Sequence, residues 1–572
     1  MRRGSGALAL AAAVVVAGVL ATRPGHGVGA APFQTSAPAV FGSDWTVYHQ
    51  DGLGDGVDPT GTALAPARPA WTSAPLDGAI FGEPLVGSGL VVVATENDSV
   101  YALAAASGAV LWSTHVGSPV PSGILGCGNI SPTVGITGTP VIDAARGEVF
   151  AVTDELAGAS AQHYLVGLDL FTGSVVLHQA ISLPGTDQLA QLQRTGLALD
   201  AGNVVVGFGG NSGDCGNYHG WVIAIPEGGG AQQSFEVASA AGDRQGALWM
   251  GGAAPVVDAT GNIWVATGNS AFNSSSSTYD NSDAVIELGP NLAERQFFAP
   301  KAWYSDNGSD RDLGSSAPVL VGSGLVFQAG KSRTAYVMSS ATLGGVGGQL
   351  AAAGSYCGSD VDGGNAVMGT VVYAPCQGGV VKTQITPGSP PTITSLWQTS
   401  TGSGGPPIVA GGLVWTISPN SGNLYGLDPT TGAASQTFSL GAEANHFPTP
   451  TVADGLLLAA STNQVHAFAG PAGLPPPGFR IATTSLTNAT RGVRYRVQLV
   501  ATNGTAPVKW TIVPGSGSLP RGLRLRANGL IIGTPRTRDA LVTYGFVVQA
   551  TTHKAPGRPT QSTTQVLRLL LL

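Results

Sequence analysis

The segment EPLVGSGLVVVATENDSVYALAAASGAVLW, residues 83–112, returns in altered form as PPIVAGGLVWTISPNSGNLYGLDPTTG at 406–432. Each copy passes from a small or Pro residue through a β-branched run, a Gly turn and a second apolar run. A polar turn, an aromatic-Gly/Ala-Leu triplet and a TG-type turn follow. That order writes one four-stranded antiparallel sheet. Further copies begin at Gly138, Leu197, Ala254 and Ala317, with fainter ones near Gly364 and Pro448. Eight copies of one sheet predict a circular array.

The eighth copy stops at Phe468 without its outermost strand. The stretch RPAWTS around Trp71 precedes the first copy just as VLWST precedes the second, so Trp71 is expected to complete the eighth sheet. Such a seam removes the exposed edges that template aggregation, and it predicts a closed eight-bladed β-propeller rather than an open solenoid. The chain holds 84 Gly and 38 Pro, and 10% of its residues are charged. With no long amphipathic helical period, the class is all-β.

Residues 1–30 read as an export signal: Arg2 and Arg3, the apolar run Ala7 to Ala21, then small residues. The run is about 15 residues against the ~20 that span a bilayer, and a retained anchor is the second reading. A secreted or cell-envelope location follows. Four cysteines in an exported chain favour disulfides, and Cys127 with Cys215 and Cys357 with Cys376 are the preferred pairs because each joins the same or nearby blades.

The formal net charge of -7 hides two opposite fields. From Pro471 onward there are thirteen Lys and Arg and one acid, Asp539, a net +12; residues 1–470 carry -19. The expected division is a propeller over 44–470, a Pro-rich linker over 471–479 and a second module over 480–572.

That module has alternating runs such as YRVQLVA and YGFVVQA, as in a β-sandwich. Trp510, the Leu-Pro-x-Gly-Leu corner at 519–523 and the Gly-Thr-Pro turn at 533–535 make it resemble the immunoglobulin-like modules of bacterial surface proteins. The resemblance implies a structural or adhesive role. Its arginines, among them Arg491, Arg494, Arg496, Arg521, Arg524 and Arg526, suit an anionic cell-wall polymer, a lipid headgroup or a polysaccharide. The alternatives are a solvated face and a face docked on the acidic propeller. Nucleic acid is not expected for an exported chain.

The repeat grammar, aromatic-Ala-Leu then TG then Leu-Trp, resembles the pyrroloquinoline quinone (PQQ) repeats of the quinoprotein alcohol dehydrogenase superfamily over Trp71 to Phe468. In that fold an outer-strand Trp stacks on a peptide of the next blade, a part open here to Trp71, Trp112 and Trp397. The longest match runs from Cys215 to Gly345. The resemblance implies a calcium and PQQ site in the axial funnel. Asn269 in ATGNSAFN matches the calcium-ligating Asn, Trp249 the aromatic floor, Asp310 or Asp312 the general base, and Lys331 the carbonyl-binding Lys. The slot of the calcium-binding Glu falls at Asp214 or Cys215, and Asp214 would serve as a shorter oxygen ligand.

Two features depart from that pattern: no two cysteines are adjacent, and no CxxCH haem site is present. Each residue also has a plain reading. Asp306 to Asp312 suits a blade-connecting turn, Asn269 a left-handed turn after Gly268, Lys331 a partner for a nearby acid, and Trp249 the core. The sequence therefore favours an exported binding or interaction module with an unassigned ligand at the funnel and no cofactor. A PQQ- and calcium-dependent dehydrogenase of an alcohol or sugar is the alternative.

Overall fold

The structure, a computed structural model, describes residues 44–572 apart from 323, 403, 454, 472–479, 482, 484–485, 503–506, 514–515, 537–541 and 553–561. The expected export signal, and the linker beyond Pro471, lie outside the described residues.

Among the described residues, eight sheets of four or five strands lie between Arg68 and Ala469, built from consecutive strands except at one seam and at Gly345–Val346, which pairs in parallel with Glu294–Ala299 of the preceding sheet. The inner strands, such as Leu85–Gly87 and Ile408–Ala410, are short and mostly buried. The strands beside them are buried throughout and mostly apolar because both faces are covered, as in Leu90–Thr95 and Leu456–Ser461. Outermost strands such as Val110–His115 alternate toward solvent. At the seam Arg68–Thr72 pairs antiparallel with Gln464–Ala469, with Trp71 opposite Ala467. The last sheet thus takes its outer strand from the beginning of the array, and its edge is paired.

The outer-strand tryptophans act between neighbours. Trp71 Nε1 donates to Ala105 O at 2.8 Å, Trp112 Nε1 to Leu170 O at 3.0 Å and Trp397 Nε1 to Pro429 O at 3.2 Å. Each ring covers the glycine of the next sheet's SG or TG turn: a Cβ on Gly108, Gly173 or Gly432 would overlap Trp71, Trp112 or Trp397 respectively. All three glycines have positive φ, so the turn sequence serves both backbone conformation and ring docking. Trp71→Ala is expected to cost about 2–3 kcal/mol, less than a fully buried aromatic because the ring is half-exposed. Urea unfolding checks this; a loss below about 0.5 kcal/mol, the level of a surface change, would show that the seam does not depend on the ring.

Residues 44–58 thread the centre of the ring. Trp45 bridges Val86, Thr46 O accepts from Ile142 N, Gly52 O from Val257 N, Asp55 O from Val367 N, and Gly56 O from Val409 N. These partners belong to the inner strands of five different sheets. Tyr48 and His49 are buried among the rest, Tyr48 Oη accepting from Thr449 Oγ1 at 3.4 Å. The axis is therefore filled by the chain's own backbone.

Both expected disulfides are present, Cys127–Cys215 and Cys357–Cys376. The C-terminal module is a sandwich. One sheet orders Tyr495–Gln498, Leu530–Gly533 and Leu523–Leu525; the other orders Val508–Ile512, Val542–Thr552 and Ser562–Leu571. Tyr495, Trp510, Ile531, Phe546, Leu567 and Leu569 form its core. It meets the propeller through Arg568, whose Nη2 lies 2.5 Å from Glu148 Oε1 and donates to Arg146 O at 3.2 Å. Glu148 also accepts from Arg146 Nε at 2.7 Å. One arginine of the basic module is thus spent on the acidic one.

Candidate functional site

In an antiparallel blade the start of the inner strand and the end of the second strand share one edge of the disc. Trp249 and Asp310 to Asp312 precede the inner strands Val256–Val257 and Val319–Val321. Asp214, Asn269 and Lys331 follow the second strands Asn203–Gly210, Ile263–Ala266 and Leu325–Ala329. All six residues therefore sit on one face of the ring, near its axis.

Four of them form one network. Lys331 Nζ lies 2.6 Å from Asp312 Oδ2 and 3.1 Å from Asp310 Oδ1. Asn269 N donates to Asp312 Oδ1 at 2.8 Å, and Asn269 Nδ2 lies 3.4 Å from Asp310 Oδ1. Asp312 is buried, whereas the Asp310 side chain is 70% exposed. Burial pushes the Asp312 carboxyl up, opposed by Lys331 and the Asn269 N–H. Burial also works against the Lys331 charge, but Asp312 and Asp310 outweigh it and hold the ammonium above its usual range. Gly268 is required here, since a Cβ would strike the Asp312 carboxylate.

The aromatic side of the site is Trp249, half-buried, with Tyr218 edge-on at 6.5 Å between ring centroids. Tyr218 Oη donates to Asp214 Oδ1 at 2.5 Å, which turns the exposed Asp214 toward the tyrosine. Burial and then the charge of Asp214 raise the Tyr218 phenol well above its usual range.

A calcium ion takes six or more oxygens. Asn269 Oδ1 fits, being buried without a donor. The carboxylates do not. Both Asp312 oxygens are engaged, one by an ammonium, and Asp214 is held by Tyr218. Among the described residues no group of three His, Cys, Asp or Glu is arranged to hold a metal. The residues present do not make a calcium cage, so no step is derived through one.

The plain reading of Asn269 as a left-handed turn is corrected: neither Gly268 nor Asn269 has positive φ, whereas Asp310 does, at 52°. Its hydrogen bonds to Asp312 and Asp310 account for its place instead. Lys331 pairs with both acids at once.

Sequence reasoning missed Arg194, which is 6% exposed and lies between the rings of Phe81 and Phe447, at 5.6 and 5.1 Å. Its Nη2 donates to His446 O. Burial pulls its pKa down to about 10. The signal lay in the repeat: LQRTG carries a long cation four residues before an inner strand, where no other copy has a cation. Glu83 was missed for the same reason. It is buried and accepts from Trp45 Nε1 at 2.8 Å, His49 N at 2.9 Å and Thr451 Oγ1 at 3.1 Å.

A ring of repeated sheets with an axial face of this kind defines a PQQ-repeat propeller. The family of that repeat described as outer membrane protein assembly factor BamB matches residues 59–264 and 299–438, more than half of the chain, and the chain belongs to it. An Ig domain family matches residues 477–567. No curated protein matches the sequence. Solved structures share the fold. Quinohemoprotein alcohol dehydrogenase from Comamonas testosteroni is 14% identical at a TM-score of 0.57, over 76% of this chain and 82% of that one. Quinohemoprotein alcohol dehydrogenase ADHIIG from Pseudomonas putida HK5 is 14% identical at 0.58, over 78% and 83%. A europium-containing methanol dehydrogenase is 13% identical at 0.55, over 75% and 98%.

Proposed function

We propose that this protein is an exported binding module of the cell envelope. Its propeller presents the face bearing Trp249, Asn269, Asp310 and Lys331 to a partner and does not carry out redox chemistry. The observation behind this reading is the state of Asp312. A general base needs a free oxygen within reach of its substrate, and both oxygens of Asp312 are held by the protein itself. A binding surface has no such need. A half-buried tryptophan beside an exposed, paired acid and base offers apolar contact with a polar rim. The family description, an assembly factor, is a role of the same kind.

A second reading rests on the orphan Asn269 Oδ1 and on the fold shared with quinohemoprotein dehydrogenases: a PQQ- and calcium-dependent oxidation of an alcohol or sugar. It requires Lys331 to leave Asp312 for the cofactor. The test is to add PQQ and calcium to the purified protein and follow absorbance, thermal unfolding and dye reduction across alcohols and aldoses. No spectral change, no thermal shift and no dye reduction are expected. A thermal shift together with dye reduction that Asp312→Asn abolishes would overturn the binding reading.

A further inference from the structure

The outer face of the C-terminal sheet carries a lattice of arginines. Along Tyr495–Gln498, Tyr495 and Val497 turn into the core, so Arg494 and Arg496 point outward. Along Leu523–Leu525, Leu523 and Leu525 turn in, so Arg524 points out and Arg526, two residues on, shares its side. The middle strand fixes the alignment: Ile532 pairs with Arg496 on one side and Arg524 on the other. Neighbouring strands are about 4.8 Å apart and residues two apart on a strand about 6.8 Å, so these four residues stand on a grid of roughly 10 by 7 Å. Arg521 and Arg536 extend it at the Gly533 end, where Arg536 N donates to Arg521 O at 2.8 Å.

All six are exposed, and none forms an ion pair with a described residue. The module's one acid, Asp539, can neutralise at most one of them. The propeller is met from the other sheet, by Arg568 of Ser562–Leu571, whose neighbours Leu567 and Leu569 point into the core. Docking on the acidic propeller therefore leaves this lattice open.

We infer that the arginine face binds a linear polymer whose charges are phosphate groups within the chain. A single exposed ion pair contributes at most about 1 kcal/mol, so a useful affinity requires many charges delivered by one chain. The grid also selects among anions. Arg496 and Arg524 flank Ile532 from two strands, and their side chains can converge on one group only if it offers acceptors in more than one direction. The two free oxygens of an in-chain phosphate diverge from a tetrahedral centre and can be reached from both strands, whereas the lone pairs of a carboxylate lie in one plane.

The inference is independent of what the propeller binds, and its test uses the full chain. Retention on, and titration with, inorganic polyphosphate several tens of units long at low salt should show binding that weakens steeply as salt rises. Arg496→Gln with Arg524→Gln should weaken it at least about tenfold, near 1.4 kcal/mol. The same pair of changes should leave thermal unfolding in place because both side chains are exposed. Lys509→Gln, on the other sheet, serves as the control and should change affinity less than about threefold.

Equal loss in the control and the double variant would reduce the effect to bulk charge and overturn the assignment to this face. Polyglutamate bound as tightly as polyphosphate would overturn the choice of phosphate. Binding to anionic phospholipid vesicles alone, or salt-sensitive self-association with no polyphosphate binding, would replace the polymer by a membrane or by a second copy of the chain.

Discussion

Glu83→Ala is expected to lower the stability of the propeller by about 3–5 kcal/mol, read as a shift of the first transition in urea. Two buried donors lose their acceptor together, Trp45 Nε1 and His49 N, while Thr451 Oγ1 keeps Pro84 O at 2.5 Å. Each buried group left without a partner costs about 1–3 kcal/mol, with partial relief where water enters. The position magnifies the loss. Glu83 belongs to the first sheet, Thr451 to the last, and Trp45 and His49 to the segment on the axis. Its own N–H donates to Thr139 Oγ1 at 2.9 Å, just before the inner strand of the second sheet. One side chain thus joins the closing pair of sheets to the central segment. Glu83→Gln should fall between wild type and Ala, because its amide can accept from one side but turns an NH2 toward existing donors. A loss below about 1 kcal/mol in Glu83→Ala would show that the axial segment does not help to hold the ring closed.

The repeat made the fold legible because each copy carries its whole sheet in local order: apolar runs for the buried strands, glycine turns and a tryptophan for the next blade. Trp71 was readable as the closing strand because its flanking residues imitate those of Trp112. The disulfide pairs followed from which copies lie near one another. The segment at 44–58 was not readable in this way. It is held to five inner strands largely by backbone groups, which any sequence supplies, and it has no second copy to compare with.

The candidate site was legible in part. Asn269, Asp310, Asp312 and Lys331 stand together, but residue types do not say whether a carboxylate is free or already bound by a neighbouring lysine. That depends on how two connecting loops of different sheets meet, which repeat grammar leaves open. Arg194 and Glu83 share this character. Each is a charge just before an inner strand, and its meaning comes from residues far away in the chain.

The propeller is expected to lose stability as pH rises from 5 to 9, with Asp98 as one cause beside other buried carboxyls, among them Asp154, Asp283 and Glu83. Asp98 is fully buried in the turn after Leu90–Thr95, and neither carboxylate oxygen has a donor in hydrogen-bonding geometry. Burial, then the charges of Asp154, Glu155 and Glu96, push its pKa up to about 9, and burial pushes Glu96 up to about 7. Arg194 opposes the shift at Glu96 and the Asp154 N–H that at Asp98, but burial outweighs both; His163, 3.5 Å from Asp154, is itself lowered to about 4 by burial and is neutral over this range.

A carboxyl with a raised folded pKa binds its proton more tightly in the native state. Its contribution is complete below the unfolded value, near 4, and is lost as pH climbs to about 9. Every tenfold gain in proton affinity on folding corresponds to about 1.4 kcal/mol, so even a fraction of the gain at Asp98 is a measurable part of the pH profile. Asp98→Asn keeps the shape of the protonated acid without its charge. It should leave the urea midpoint nearly unchanged at pH 4, raise stability by at least about 2 kcal/mol at pH 9 and flatten the slope between them. A variant that follows the wild-type curve at every pH, or falls below it at pH 9, would mean that Asp98 is ionised in the folded protein and that its neighbours hold it so.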